Sequence, residues 1–519
     1  MRQIPRTVEL QAATSPWDWR DHLGRPTAAA RVPSAAVRSD EATLAALDAA
    51  MRDADAARIG AEIIDWFARG RRLDVLARAL ALWVADRPGG VTAPAWLSLA
   101  DGIRASQGLD PARAALPWLV AATLAAESLG GRTPLPTALA AGPGTRDALS
   151  AALLARDPLA AESAVAAALV HGTAPGDVES WLLAAAAAFP GDGGVLAVAA
   201  TRLIDIRAAA GDIGVAPLLP RVARALAERP EQLAYTRAHP QRLAWLSPHF
   251  AAFAAAEHPD KGAAFAEPKF RPHVLDGKAD AAFRASRKAL EFGVPREVLA
   301  QSLVLAAADR LLRFDARWQR DAAVVEDRAD AAQLLILASA TRRLGATLAA
   351  DAWFPLYFFA IGLVHASAPL DAPERDRLAL PEPAQLHQTW DHGPEIAKIA
   401  AALLAGDGDR AIAVLRAYFL LALPEQPLCA QLLEAALSDI APLAVDAARG
   451  LALMTAAVDE FQALAAHPHR ETPLCAALRT LSAPPPGRRT AAIGTAALDA
   501  RMGASPPRHL VEAGPVLAG

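Results

Sequence analysis

Between Asp276 and Asp315 the chain reads DGKADAAFRASRKALEFGVPREVLAQSLVLAAADRLLRFD, a pattern that admits little besides a helical hairpin. In its first half Ala281, Ala282, Ala285, Ala289 and Phe292 recur three and four residues apart, the spacing of one apolar helix face. Arg284, Arg287, Lys288 and Glu291 take the opposite side. Gly293 supplies the left-handed conformation that ends a helix. Pro295 suits the first turn of the next helix, where a missing N–H costs nothing, and Glu297 sits where the helix dipole favours an anion. The second half, through Val298, Leu299, Leu303, Leu305, Ala306 and Leu312, is apolar on more than one side and predicts a helix buried between neighbours.

Weaker versions of this hairpin recur. Asp53–Asp86 aligns Gly70 on Gly293 and LDVLARAL on REVLAQSL; Asp157–Phe189 has Gly172 at its turn; Asp407–Ile440 turns at Pro424. Separations of roughly 100 to 130 residues exceed the 20–50 of ordinary solenoid repeats. The pattern therefore predicts a few larger helical units related by divergent duplication, each carrying one hairpin. Hydrophobic residues make up 53% of the chain and aromatics 5%, so the core must be built from Ala, Leu and Val. Alanine is the best helix former, and no alternating β-branched run signals a strand. The expected fold is all-α, a multi-helix bundle of divergent helix-turn-helix units, related either by duplication or only by the alanine- and leucine-rich composition that lets any two such helix pairs align. Its expected divisions are an extended proline-punctuated arm (1–40), two helical domains (41–260 and 261–480) and a flexible tail (481–519).

A formal charge of −4 and the lack of a basic stripe argue against nucleic acid as a partner. Two cysteines, Cys429 and Cys475, exclude a disulfide framework and a cysteine-ligated iron–sulfur cluster within the chain, and suit thiols in a reducing cytosol. The N-terminus lacks the apolar core of a signal peptide. The most apolar segment, Trp353–Val364, contains Pro355 and falls short of the ~20 residues a bilayer needs. The expectation is a cytoplasmic protein with no membrane span.

Twelve histidines are scattered, and none forms a recognised metal-ligand pair, so no metal site is expected. His467 and His469 read as loop residues around Pro468. His387 and His392 are five apart, which keeps them off one helix face. Asp391 beside His392, with Trp390 next to it, suits either a pocket mouth or the N-cap of the following helix. His365 ends the most aromatic helix, after Trp353, Phe354, Tyr357, Phe358 and Phe359, where core packing is the commoner use of such a cluster. If the chain is catalytic, His365 and His392 are the candidate acid–base groups, because imidazole titrates near neutrality. Trp353, Tyr357, Phe358, Trp390 and Asp391 would then line an interhelical pocket. Arg313 and Asp315 are expected to pair at a helix end. The turn Pro190–Gly194 follows no strand, so it is not a phosphate loop.

The organising stretch through Arg313-Phe314-Asp315, the helix Ala329–Leu344 and the run WFPLYFFAIGLVH resemble the helical region of bacterial Rieske-domain-containing proteins, itself similar to the questin oxidase-like family. Gly172–Ile206 matches an earlier part of the same pattern, and the likeness spans roughly residues 50 to 465. It implies an oxidoreductase-related helical protein that takes an apolar small molecule between helices. The family pattern places one histidine where this chain has Asp192-Gly193-Gly194-Val195 and another where it has Ala329-Asp330-Ala331-Ala332-Gln333. Both imidazoles are missing, and there is no C-x-H with C-x-x-H set for a Rieske cluster. The cofactor is left undetermined. Two functions follow as expectations: an oxidoreductase-like protein with a degenerate site, or a non-catalytic scaffold that binds a protein partner.

Overall fold

The computed structural model describes residues 39–109, 114–228, 239–278, 280–319, 328–385, 392–437 and 444–483. Nearly all of the expected arm and tail, together with His387, Trp390 and Asp391, lies outside these residues. Among the described residues the chain is all-α, and the only extended pairing is an isolated bridge between Phe314 and Asp371.

The helices fall into four units of five. The first holds α1 (Asp40–Arg52), α2 (Ala56–Ala68), α3 (Leu73–Ala85), α4 (Pro94–Gly108) and α5 (Leu116–Leu129). The second holds α6 (Arg146–Ala155), α7 (Pro158–Val170), α8 (Pro175–Ala188), α9 (Val195–Val215) and α10 (Leu219–Ala227). Three short helices follow: α11 (His239–Leu246), α12 (Phe250–Ala256) and α13 (Pro259–Ala263). The third unit holds α14 (Glu267–Leu275), α15 (Ala281–Glu291), α16 (Arg296–Leu312), α17 (Arg328–Thr347) and α18 (Ala350–Ala366). The fourth holds α19 (Gly393–Leu404), α20 (Gly408–Leu420), α21 (Glu425–Leu437), α22 (Ala444–Ala463) and α23 (Thr472–Leu481).

The four expected hairpins are the second and third helices of these units. Their turns share one device, a residue at positive φ: Gly70 (59°), Gly172 (88°), Gly293 (88°) and Ala422 (51°). Three of them also begin alike, with Asp55, Asp157 and Asp407 accepting the backbone N–H three residues on. The stripe expected on α15 is rotated in the structure. Phe283, Ser286 and Leu290 are buried with Ala282 and Ala289, while Phe292 is 53% exposed beneath the Lys261 ammonium.

The third helix of each unit packs on the next unit: α3 on α9, α8 on α18, α16 on α23, and α21 back on α4 and α5 of the first. The fourth helices then meet at the centre, α4 on α9, α9 on α17, α17 on α22 and α22 on α4. Four units thus close into a ring. The expected boundary near residue 260 falls within α13, and a single hydrophobic cluster runs through both halves of the chain. The central helices run parallel. Trp96 reaches Ala199 near the start of α4 and α9, and Arg104 reaches Asp205 further along. Asp330 and Arg449 meet early on α17 and α22, and Ser339 and Glu460 later.

The helix containing the aromatic run continues to Leu370, 21 residues with a mean hydropathy of 1.3 over its most apolar window. That is long and apolar enough to cross a membrane, although Trp353–Val364 alone is not. It is the one such helix among the described residues, and 56% of that window is buried inside the protein.

Candidate functional site

Charged side chains gather where the four central helices meet. Asp101 and Arg104 stand seven and ten residues after Pro94, the first residue of α4; Arg202 and Asp205 stand seven and ten after Val195, the first of α9. The order of charge is reversed between the two helices, so parallel packing sets opposite charges level. Arg202 Nη2 lies 2.8 Å from Asp101 Oδ1, and Arg104 Nε lies 3.6 Å from Asp205 Oδ1. The other two helices also match in offset. Ser339 and Arg343 stand eleven and fifteen after Arg328 on α17, and Thr455 and Asp459 eleven and fifteen after Ala444 on α22. Arg343 donates to both oxygens of Asp205 at 2.6 and 3.0 Å. Glu460 accepts from Ser339 Oγ and Arg342 Nε, each at 2.6 Å, and Arg104 also reaches Asp459.

Asp101, Asp205, Asp459 and Glu460 thus face Arg104, Arg202, Arg342 and Arg343, so the hub is balanced in formal charge. Asp101 and Glu460 are fully buried. Burial pushes the Asp101 carboxyl up to about 6 against the pull of Arg202, with Asp205 adding to the rise. Burial also raises Asp459 and Glu460, opposed by Arg104 and Arg342 respectively. Charges buried this deeply cost free energy unless paired, and their commonest use is to fix register. The hub therefore does two things chemically: it holds four helices level, and it takes up a proton near pH 6.

A second feature lies where α9 and α17 begin. Gly191, Gly193 and Gly194 all have positive φ, and Gln333 Nε2 donates to Gly193 O at 3.4 Å across 140 residues of chain. A Cβ at Gly194 would collide with Leu337, so the two helices approach closely there. A Cβ at Gly193 would meet nothing nearer than Gln333 Cγ at 3.9 Å. Both Gly193 and Gln333 are half-buried. The turn before α9 and the early part of α17 thus face one another.

The residues singled out from sequence sit elsewhere. Trp353, Tyr357 and Phe358 are all fully buried on α18. Trp353 Nε1 donates to Thr341 O at 2.7 Å, and Tyr357 donates to Ser286 Oγ at 3.1 Å. The Phe358 ring lies between those of Phe250 and Phe283. His365 is half-buried at the end of α18, its Nδ1 3.0 Å from Val274 O. His392 precedes α19 and makes no side-chain cap. These two histidines lie on elements with different packing partners, α18 chiefly on α8, α16 and α17, and α19 on α20 and α21.

Arg313 does not pair with Asp315 as expected. It reaches Asp276 at 2.8 Å, and Asp315 is held by Arg317, because the chain turns at Phe314 and separates the two side chains. Arg310, fully buried, ties the neighbouring helix ends by donating to Val364 O, Leu275 O and Asp371. Among the described residues no group of three or more His, Cys, Asp or Glu is placed to hold a metal ion.

Two features lie beyond the expectations drawn from sequence. The Asp-x-x-Arg of α4 mirrored by Arg-x-x-Asp on α9 is a readable signal for the hub. His239 carries none. It is 7% exposed, lies edge-on to Phe359 at 5.1 Å, and has no hydrogen bond at Nε2. Burial and the nearby Arg242 hold its pKa down to about 4, so the ring is neutral at physiological pH.

Fold and hub define an all-α protein in which four helical units close around a charged centre. Comparison with models of known families, with curated proteins and with solved structures yields no match.

Proposed function

We propose that this chain is a questin oxidase-like helical protein that keeps the interhelical site of that family and has lost its imidazoles, leaving a binding protein for an apolar small molecule. The observation that carries this reading is the meeting of Gln333 with Gly193. The resemblance rests on residues far apart in sequence, and it names two segments where histidines should stand. Those segments lie side by side, and neither carries an imidazole. An amide orients a polar group of a ligand but does not titrate near neutrality, so acid–base chemistry through that pair is gone.

The test is native mass spectrometry and thermal shift with a panel of planar apolar compounds, on the wild type and on Gln333→Trp, which puts an indole where the amide meets Gly193. Retained compound that is lost in the variant supports the reading. No retained compound, or binding indifferent to Gln333→Trp, overturns it.

A catalytic reading has one specific support, the neutral His239 whose Nε2 is unpartnered beside the aromatic helix α18. Iron or flavin bound to purified protein, or turnover abolished by His239→Ala, would favour it. The scaffold reading, with a protein as partner, is the outcome if no small molecule is held.

A further inference from the structure

The chain holds five lysines in 519 residues, and four of them, Lys261, Lys269, Lys278 and Lys288, fall within one stretch of 28. Over that stretch seven Lys and Arg face three Asp and Glu, a surplus of four positive charges in a chain of net charge −4. All four lysines are exposed. Among the described residues none of the four makes an ion pair, whereas the fifth, Lys398, lies 2.7 Å from Glu395. The arginines of the same region are differently disposed. Arg271 holds Glu267 and Asp309, Arg287 holds Glu291, and Arg242 holds Asp280. Asp276 is taken by Arg313.

The third hairpin gathers these lysines. Arg284, Lys288 and Phe292 stand four apart on the exposed side of α15 and its C-cap, a stripe of about 12 Å. Phe292 is 53% exposed, and Lys261 of α13 places its Nζ 4.5 Å from the centre of that ring. Lys278 leads into α15, and Lys269 stands on α14, which packs on α15. Asp260 and Glu297 are exposed close by in the chain, and neither pairs with any of the four. The result is a positively charged surface with one accessible aromatic ring inside it.

We infer that this surface docks an acidic segment of a partner protein, its carboxylates set against the lysines and an apolar side chain against Phe292. Phosphate-rich partners are gripped best by arginine forks, and the forks of Arg242, Arg271 and Arg287 are already engaged with carboxylates. A bilayer surface takes an amphipathic helix whose apolar side is free to insert. The apolar side of α15, with Ala282, Phe283, Ala289 and Leu290, is turned into the core instead. The docking surface stands whether or not a small molecule is held between the helices.

The experiment is fluorescence anisotropy on the full chain with a fluorescein-labelled peptide of glutamates around one central leucine. Oligothymidylate and vesicles of phosphatidylcholine and phosphatidylserine in equal parts are measured beside it. The variants are Lys261→Glu with Lys288→Glu, Phe292→Ser alone, and, away from the patch, Arg146→Glu with Arg410→Glu. All five side chains are exposed, so the folds are kept, which circular dichroism checks. The wild type binds the peptide, more weakly as salt rises. The lysine reversal weakens binding about tenfold, Phe292→Ser weakens it at every salt concentration, and the arginine reversal leaves it little changed. Absence of peptide binding at low salt would overturn the inference, as would equal losses in the two double variants. Tighter binding of oligothymidylate or of the vesicles than of the peptide would overturn it too.

Discussion

Asp101 and Arg202 occupy the same place on two different helices, each seven residues after the first residue of its own, and meet at 2.8 Å in the buried centre of the ring. Their agreement in offset reflects the repetition of the units. Their opposite charge favours this register of the two parallel helices, because a slip of three residues would set Asp101 against Asp205 in one direction or Arg104 against Arg202 in the other.

Asp101 makes stability fall as pH rises. Its carboxyl moves from 3.8 to about 6 on folding, so the folded state holds the proton more tightly than the unfolded chain. The stabilisation is fully present below about pH 4 and is lost as pH rises through about 6. A rise of that size is worth on the order of 3 kcal/mol. Urea midpoints between pH 4 and 7 should show this decline in the wild type and a flatter profile in Asp101→Asn. Parallel profiles would dissociate Asp101 from the effect.

Glu460→Ala should be among the most damaging single changes. It strands Arg342 and Ser339, both of which donate to the lost carboxylate. Breaking a buried pair by removing one partner costs roughly 3–5 kcal/mol. A denaturation midpoint within experimental error of wild type would show that the acid is dispensable.

The hairpin turns should respond unequally to alanine. Gly172 and Gly293 share a φ of 88°, but a Cβ at Gly172 meets open space whereas one at Gly293 overlaps Ala256 O. Gly172→Ala should therefore cost about 1–2 kcal/mol, the left-handed penalty alone, and Gly293→Ala clearly more. The fourth hairpin already carries Ala422 at φ 51°. Equal losses in a thermal or urea comparison would mean that the close approach to Ala256 is not felt.

Both thiols should be silent in the native protein. Cys429 and Cys475 are buried, and burial pushes their pKa values up to about 11 and about 12. The thiolate is the reactive form. Alkylation at pH 8 should label neither site until denaturant is added, and prompt labelling of Cys475 would contradict this placement.

Much of the fold is legible in the sequence because it is written in local chemistry. Glycine or proline at Gly70, Gly172, Gly293 and Pro424 interrupts apolar helical spacing, and each turn forms where those residues stand. The face of α15 departs from its expected stripe because Phe292 shares the spacing of the alanines, although the turn at Gly293 carries its ring to the surface. The hub is harder to see. Asp101, Arg104, Arg202 and Asp205 look like the solvated faces of alanine-rich helices until a partner helix about a hundred residues away is supplied. Burial of a charge is a property of the pair, and single-helix periodicity does not register it. The same holds for Gly193 and Gln333, which meet across 140 residues of chain.

The most direct test of the ring is reversal of its central pair. Asp101→Arg and Arg202→Asp are made singly and together, and urea denaturation is measured at neutral pH. Each single variant places like charges in the hub and should lose several kcal/mol, in the range of roughly 3–5 for a broken buried pair. The double variant restores opposition between α4 and α9, and should recover most of that loss as a coupling between the two sites. A double variant no more stable than the sum of the single losses would contradict the pairing, and with it the parallel centre around which the four units are assembled.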